Sequence, residues 1–238
     1  MNLRIFDDYS RLSRAAADLI SSFLKAKPAS LVCIASGHSP RGVFECLVSD
    51  AKNNGLDISQ CVFVSLDEWI GIPPERVGSC RAMMDEDLFR PLNIPESQIV
   101  FFNGMNPNLN QEVDRVNKLI DSNGGLDIML VGVGTNGHIA MNEPGTSFDL
   151  DAHISELAEE TKLVGQKYFS SNTALDKGIT LGLKHFRESK LPILMANGVK
   201  KANIIRKVLD SPASEALPAS IIHMIPAAYV MIDREAYQ

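Results

Sequence analysis

Four short segments of this sequence hold side chains that could do chemistry together. The loop Gly132-Val133-Gly134-Thr135-Asn136-Gly137-His138-Ile139-Ala140-Met141-Asn142-Glu143-Pro144-Gly145 carries one imidazole and one carboxylate, His138 and Glu143, just beyond an apolar run. An imidazole with a carboxylate partner titrates near neutrality and can shuttle a proton. Leu66-Asp67-Glu68-Trp69 sets two carboxylates directly after a second apolar run. At least one of them faces a cleft rather than the core, where it can serve as a general base. Ala35-Ser36-Gly37-His38-Ser39-Pro40-Arg41-Gly42 precedes a helical pattern, with Ser39 suited to the N-cap and Pro40 to the first helical position. Backbone N–H groups of Ser36, Gly37 and His38 can there point at an anion such as phosphate. Ala196-Asn197-Gly198-Val199-Lys200-Lys201-Ala202 places cations in a first helical turn, against the helix dipole, an arrangement that a bound anion relieves. Taken singly, each segment also suits a structural role: helix capping, a solvated strand end, a satisfied histidine, a surface lysine.

The first of these segments contains a literal G-x-G-x-x-G at Gly132, Gly134 and Gly137. A dinucleotide fingerprint needs a helix opening at once to present its N-terminus to pyrophosphate, and Asn142-Glu143-Pro144-Gly145 breaks the chain too early for one. No nicotinamide or flavin cofactor is expected.

The elements that must hold these loops alternate. Short apolar runs at Leu3–Phe6, Leu31–Ala35, Val62–Leu66, Ile99–Phe102, Asp127–Val133, Ile193–Ala196 (entered through Pro192) and Ala228–Ile232 read as strands. Amphipathic patterns near Tyr9–Lys25, Pro40–Asn53, Arg81–Phe89, Gln111–Asp121, Leu181–Glu188 and Val199–Leu209 read as helices. Runs such as Val62-Phe63-Val64 and Ile128-Met129-Leu130-Val131 are apolar on both faces, which suits parallel strands covered from both sides. The expected fold is an α/β single domain over residues 1–238: a doubly wound, mostly parallel, Rossmann-like sheet with helices on both faces. The stretch from 134 to about 180 is less regular, and a lid is expected within 134–175. In such sheets ligands bind beyond the carboxyl ends of the strands, where the loops after 35, 66, 133 and 196 fall.

Composition removes several classes of function. At about 150 residues per domain, 238 residues amount to about 1.6 domains, a length that fits one large α/β domain better than two separate folds. With 45% hydrophobic and 22% charged residues the chain is neither disordered nor a disulfide-stapled miniprotein. Lys and Arg number 23 against 29 Asp and Glu, so no overall positive field would hold nucleic acid or an anionic membrane. Met1-Asn2-Leu3-Arg4-Ile5-Phe6-Asp7-Asp8 turns acidic before a secretory apolar segment could form, and a cytoplasmic location is expected. Cys33, Cys46, Cys61 and Cys80 show no C-x-x-C spacing and read as buried or inert thiols, with no metal site.

In this order, Gly37-His38-Ser39-Pro40, Asp67-Glu68, Gly132–Pro144 and Gly198-Val199-Lys200-Lys201 resemble the glucosamine-6-phosphate deaminase and isomerase family, related more distantly to 6-phosphogluconolactonase. The likeness spans nearly the whole chain. It also separates branches, since lactonases usually have Ser-x-Phe-Pro where this chain has Met141-Asn142-Glu143-Pro144. The resemblance implies a cofactor-independent conversion of a 2-amino-2-deoxyhexose 6-phosphate to a ketose 6-phosphate with loss of ammonia. It implies Asp67 as the base that takes the C2 proton, and His138 as the group that opens the pyranose ring, oriented by Glu143. Phosphate would sit on Ser36, Gly37, His38 and Ser39, with Lys201 and, in place of a family Arg, Lys167.

Two positions depart from the family pattern. Asn136 stands where the family carries Asp, and an amide does not stabilise an imidazolium as a carboxylate does, so a slower proton relay is expected. His38 stands where small residues are usual, either on the phosphate or pointing outward. Asn136, Leu66-Asp67-Glu68-Trp69, His153-Ile154-Ser155-x-Leu157, Gly178-Ile179-Thr180-Leu181-Gly182-Leu183-Lys184 and Pro218-Ala219-Ser220 look similar to a galactosamine-6-phosphate isomerase branch. Galactosamine 6-phosphate, giving tagatose 6-phosphate and ammonia, is therefore the first expectation for the substrate. Glucosamine 6-phosphate, hydrolysis of 6-phosphogluconolactone and a non-catalytic sugar-phosphate sensor are the alternatives. The chain lacks the C-terminal extension of longer allosteric members, so no amino sugar allostery is expected; a homo-oligomer stays open.

Overall fold

The computed structural model describes all 238 residues. In chain order the elements are β1 (Asn2–Phe6), α1 (Tyr9–Ala26), β2 (Leu31–Ile34), α2 (Arg41–Asn53), β3 (Val62–Val64), β4 (Asp67–Trp69), α3 (Cys80–Met84), β5 (Ile99–Val100), α4 (Leu109–Ser122), β6 (Ile128–Val131), β7 (His153–Glu156), α5 (Glu159–Gly165), β8 (Lys177–Thr180), α6 (Leu183–Glu188), β9 (Leu191–Ala196), α7 (Ala202–Asp210) and β10 (Tyr229–Asp233). Seven strands form one sheet in the order β1-β10-β9-β6-β2-β3-β5, with every neighbouring pair parallel. This is the expected doubly wound α/β architecture. No helix is long and apolar enough to cross a membrane.

The period-2 alternation of the central strands divides their side chains between two cores. Val32 and Ile34 of β2, Ile128 and Leu130 of β6, and Ile193 and Met195 of β9 lie on one face. There they meet Leu12, Ala16, Ile20 and Leu24 of α1, which recur at helical spacing on its buried side. Cys33, Met129, Val131, Leu194 and Ala196 point to the other face and pack with Val116 and Ile120 of α4 and Ile204, Ile205 and Val208 of α7. Asp8 starts α1 by accepting the Arg11 N–H at 2.8 Å.

From β2 the chain winds outward through β3 to β5, then returns to lay β6 against the other side of β2. That reversal makes the β2/β6 junction the topological switch point, and the crevice opens at the carboxyl ends of these two strands.

Several boundaries differ from the sequence reading. The strand expected over 62–66 stops at Val64, and Asp67–Trp69 form a separate strand in a second, three-stranded antiparallel sheet, β4-β8-β7. Asp67 pairs with Thr180 and Trp69 with Gly178. Three residues show no periodicity of their own, and their partner lies more than a hundred positions away, so local pattern could not reveal them. The stretch judged irregular after 134 supplies β7, α5 and β8. Ser39 is not the N-cap of α2: that position falls to Pro40, without a side-chain cap. The Tyr9 hydroxyl takes over instead, accepting the Gly42 N–H at 2.8 Å and donating to the Ser39 carbonyl at 2.9 Å. Pro192 lies inside β9 rather than ahead of it, one residue before the pairing with β10 begins, so its missing N–H removes no ladder bond there. The helix expected near Arg81–Phe89 begins at Cys80 as α3 and passes into a π turn at Asp85–Phe89, and α7 is preceded by one 3₁₀ turn, Val199–Lys201.

Gly182 links β8 to α6 where the chain runs against itself. A methyl group there would stand 2.0 Å from the Leu150 carbonyl oxygen and 2.3 Å from that of Asp151, neither of which can turn aside as a side chain would. Gly182→Ala is expected to destabilise the fold by about 1–3 kcal/mol, read as a lower denaturant midpoint at unchanged slope.

Candidate active site

The crevice at the switch point holds a cavity of about 200 Å³. Its wall includes Ser36, His38 and Ser39 from the loop after β2, Asp67 from β4, His138 from the loop after β6, Lys167 beyond α5, and Lys201 beyond β9. All four chemically unusual loops therefore meet in one place. Gly37, Asn136 and Glu143 stand behind that wall.

Alternation along β4 gives its two carboxylates different surroundings. Asp67 and Trp69 share the face that lines the cavity, whereas Glu68 turns away and is 1% exposed. Glu68 Oε1 accepts the N–H groups of Trp69 (2.8 Å) and Cys80 (2.9 Å), and Oε2 accepts that of Arg81 (2.9 Å). Two of these donors are the first residues of α3, so Glu68 ties that helix to β4. Burial pushes its carboxyl up to about 7 against the pull of these bonds. Asp67 receives a single hydrogen bond, from the Cys80 thiol, whose sulfur lies 3.3 Å from Oδ1. Burial raises the Asp67 carboxyl to about 6. It is thus largely ionised at neutral pH, yet a stronger base than a surface aspartate.

The loop after β6 folds so that its imidazole faces the same cavity. The Gly134 N–H donates to the His138 carbonyl at 2.9 Å and the Gly137 N–H to the Gly134 carbonyl at 3.0 Å. The ring then lies over Gly134, where a Cβ would stand 2.2 Å from the imidazole Cε1. His138 Nδ1 is 3.2 Å from Thr161 Oγ1 and 3.7 Å from Glu143 Oε2, which leaves Nε2 as the nitrogen free for a ligand. Glu143 Oε2 accepts from the Asn136 amide at 2.8 Å, and Asn136 Oδ1 accepts the His138 N–H at 3.1 Å. Asn136 therefore bridges the carboxylate and the backbone of the histidine. Burial lowers the His138 pKa despite Glu143, so the ring is neutral at pH 7.

The remaining groups give the cavity a cationic end. Lys201 Nζ donates to the Val133 carbonyl at 2.6 Å. Burial, then repulsion from Lys167, lowers its pKa; Lys167 is lowered by burial and by Lys200. An anion between Lys167 and Lys201 would relieve both penalties. His38 stacks on Tyr168, with ring centroids 5.3 Å apart and planes 20° apart, while still lining the cavity. Burial and the nearby Lys167 and Arg41 charges lower its pKa, so this ring too is neutral at pH 7. Tyr168, Thr161, Trp69 and Cys80 reach the cavity without having been singled out from sequence. Tertiary pairing brings them there, and no local pattern in the sequence marks them.

Residues 8–230 match the family described as glucosamine-6-phosphate isomerases/6-phosphogluconolactonase. The chain belongs to this family. It is 37% identical over 230 residues to a glucosamine-6-phosphate deaminase of Geobacillus sp. (strain WCH70), covering 96% of this chain and 92% of that one. It is 36% identical to the enzyme of the same name from Shouchella clausii, covering 99% and 96%. Among solved structures it is similar to a monomeric glucosamine-6-phosphate deaminase, with a TM-score of 0.95, 34% identity and coverage of 99% and 98%. A 6-phosphogluconolactonase from Trypanosoma brucei shares the fold at a TM-score of 0.78 and 18% identity, over 99% of this chain and 97% of that one.

A carboxyl raised from 3.8 to about 6 binds its proton more tightly in the folded state than in the unfolded one. Stability therefore falls as pH rises through that window, and the full cost applies above it. Asp67→Asn is expected to be more stable than the parent at pH 8 by about 1–3 kcal/mol, a gap that closes as pH falls below about 4. Urea unfolding across that pH range measures it.

Proposed function

We propose that the protein converts a 2-amino-2-deoxyhexose 6-phosphate and water to the ketose 6-phosphate and ammonia, without a cofactor, and that galactosamine 6-phosphate is its preferred substrate. The observation that carries the reaction is a desolvated carboxylate, Asp67, and a neutral imidazole, His138, facing one cavity whose end is cationic.

The phosphate binds to the loop Ser36–Ser39, Lys167 and Lys201. His138 Nε2 takes the proton from O1 and returns it to the ring oxygen, which opens the pyranose. Glu143, held by Asn136, favours the imidazolium that forms in between. Asp67 then removes the C2 proton, O1 takes up a proton from the C2 ammonium, and the electron pair moves into an enolamine between C1 and C2. Return of the proton to C1 leaves an iminium at C2, and water adds there to expel ammonia. Each step moves protons among groups on this chain and the substrate. Residues 1–238 act as one catalytic domain, and the segment around α5 serves as the lid, because Thr161, Lys167 and Tyr168 reach the cavity from it.

The galacto epimer is supported by where the branch-like segments lie. His153-Ile154-Ser155 forms most of β7 and Gly178-Ile179-Thr180 most of β8, and β8 carries β4 with Asp67. Ala219 donates its N–H to the Gly137 carbonyl at 2.9 Å, bracing the His138 loop. These segments thus shape the walls around both proton-transfer groups. The gluco epimer is the second reading, favoured by the names of the relatives.

With each epimer in turn, ammonia release and kcat/KM decide the substrate. The galacto epimer is expected to be favoured about tenfold or more, the scale of one hydroxyl in its proper place. A reversed ratio would give the gluco reading precedence. Asp67→Asn is expected to cut kcat by about 10²- to 10⁴-fold. In the parent enzyme kcat/KM should rise with pH through about 6 as Asp67 ionises. Hydrolysis of 6-phosphogluconolactone untouched by Asp67→Asn would point to the lactonase instead.

A further inference from the structure

The base assigned above has an unusual support. The Asp67 carboxylate accepts one hydrogen bond, and its donor is sulfur: Cys80 Sγ at 3.3 Å from Oδ1. Cys80 is 3% exposed and lines the same cavity. Burial and the adjacent Asp67 and Glu68 charges push its thiol well up, so the sulfur keeps its proton at neutral pH and acts as a donor rather than as a nucleophile.

The position of this thiol is strongly determined. Glu68 accepts the backbone N–H groups of Cys80 and Arg81. Ser79 Oγ accepts the Ala82 N–H at 2.9 Å and donates to the Pro74 carbonyl at 2.7 Å. The first turn of α3 is thereby fixed against β4, and the Cys80 side chain falls on Asp67.

We propose that Cys80 is the positioning residue of the base: its S–H fixes the rotation of the Asp67 carboxylate and leaves Oδ2 free to take the substrate proton. Glu68 acts one step further back by holding the Cys80 backbone. The inference rests on the reading of Asp67 as the base. A carboxylate without a partner on a cavity wall turns among rotamers and spends less time aligned with the C–H bond. A hydroxyl or cationic donor would orient it as well, but would stabilise the anion more and weaken the base. A thiol orients it at little cost in basicity.

Infrared spectroscopy of the folded protein reads the contact itself. The S–H stretch assigned by its loss in Cys80→Ser is expected to shift to higher frequency in Asp67→Asn, whose amide is the weaker acceptor. Kinetics read its consequence. Cys80→Val is expected to lower kcat about 10- to 100-fold, as a misaligned base does, with KM within about twofold. Its acid limb should move to higher pH, because the anion has lost its donor. Cys80→Ser should restore most of kcat and move the acid limb to lower pH. A purely structural cysteine would change the melting temperature and leave the pH profile in place. The proposal is overturned if Cys80→Val keeps kcat within about twofold with an unmoved limb while Asp67→Asn is inactive. It is overturned equally by an S–H band indifferent to Asp67→Asn. Should Cys80→Val not fold, the infrared shift and the Cys80→Ser profile decide. Full turnover by Asp67→Asn would remove the base reading itself, a result distinct from either failure of Cys80.

Discussion

The parallel pairing of β2 with β6 is the contact on which the rest of the structure depends. Val32 pairs with Ile128, Cys33 with Met129 and Ile34 with Leu130. A slip of one residue would exchange the side chains of the two cores, which burial on both faces forbids. That register fixes where the strands end, and the anion loop and the histidine loop leave from those ends. The geometry of the crevice is therefore a by-product of core packing at the centre of the sheet. Both loops already face each other across the crevice.

The other wall depends on a smaller construction. Adjacent carboxylates on one short strand would repel if they shared a face, but the strand directs Asp67 and Glu68 to opposite sides. One is spent on structure, with three backbone N–H partners, and the other is left nearly bare. Leaving a carboxylate bare costs the fold stability, and what stands there in return is a desolvated anion of raised basicity facing the cavity. The antiparallel partner β8, anchored through the Leu181 N–H to the Leu66 carbonyl at 2.8 Å, keeps β4 from relaxing away from this position.

Much of this was legible in the sequence. Apolar runs on both faces imply parallel strands, and the switch-point rule then points to four loops; all four line the cavity. The second sheet was not legible. β4 has three residues and β8 four, too short for periodicity, and their paired residues lie more than a hundred positions apart in the chain. Nor was the start of α2, where Ser39 had the right chemistry for a cap but Tyr9, thirty residues earlier, fills the role through space. Cys80 shows the same limit from the other side: an apolar-looking thiol reads as core by composition, and only its distance from Asp67 gives it another meaning. Motif spacing reports which residues share a loop, and it is silent about which residues from different loops touch.

Asn136 shows how a geometry can alter the meaning of a substitution. As a pattern, an amide in place of a carboxylate removes a charge near the histidine and suggests a weaker relay. In the structure, the Asn136 side chain meets Glu143 rather than the His138 ring, with its nitrogen 2.8 Å from Oε2. A carboxylate in the same place would set two anionic oxygens at that separation, and the pair could persist only by sharing a proton. The amide donates a hydrogen bond instead, to the same Glu143 oxygen that lies 3.7 Å from His138 Nδ1. Its oxygen meanwhile holds the backbone N–H of the same histidine. What the amide supplies at position 136 is orientation: one side chain ties the Glu143 carboxylate to the backbone of His138.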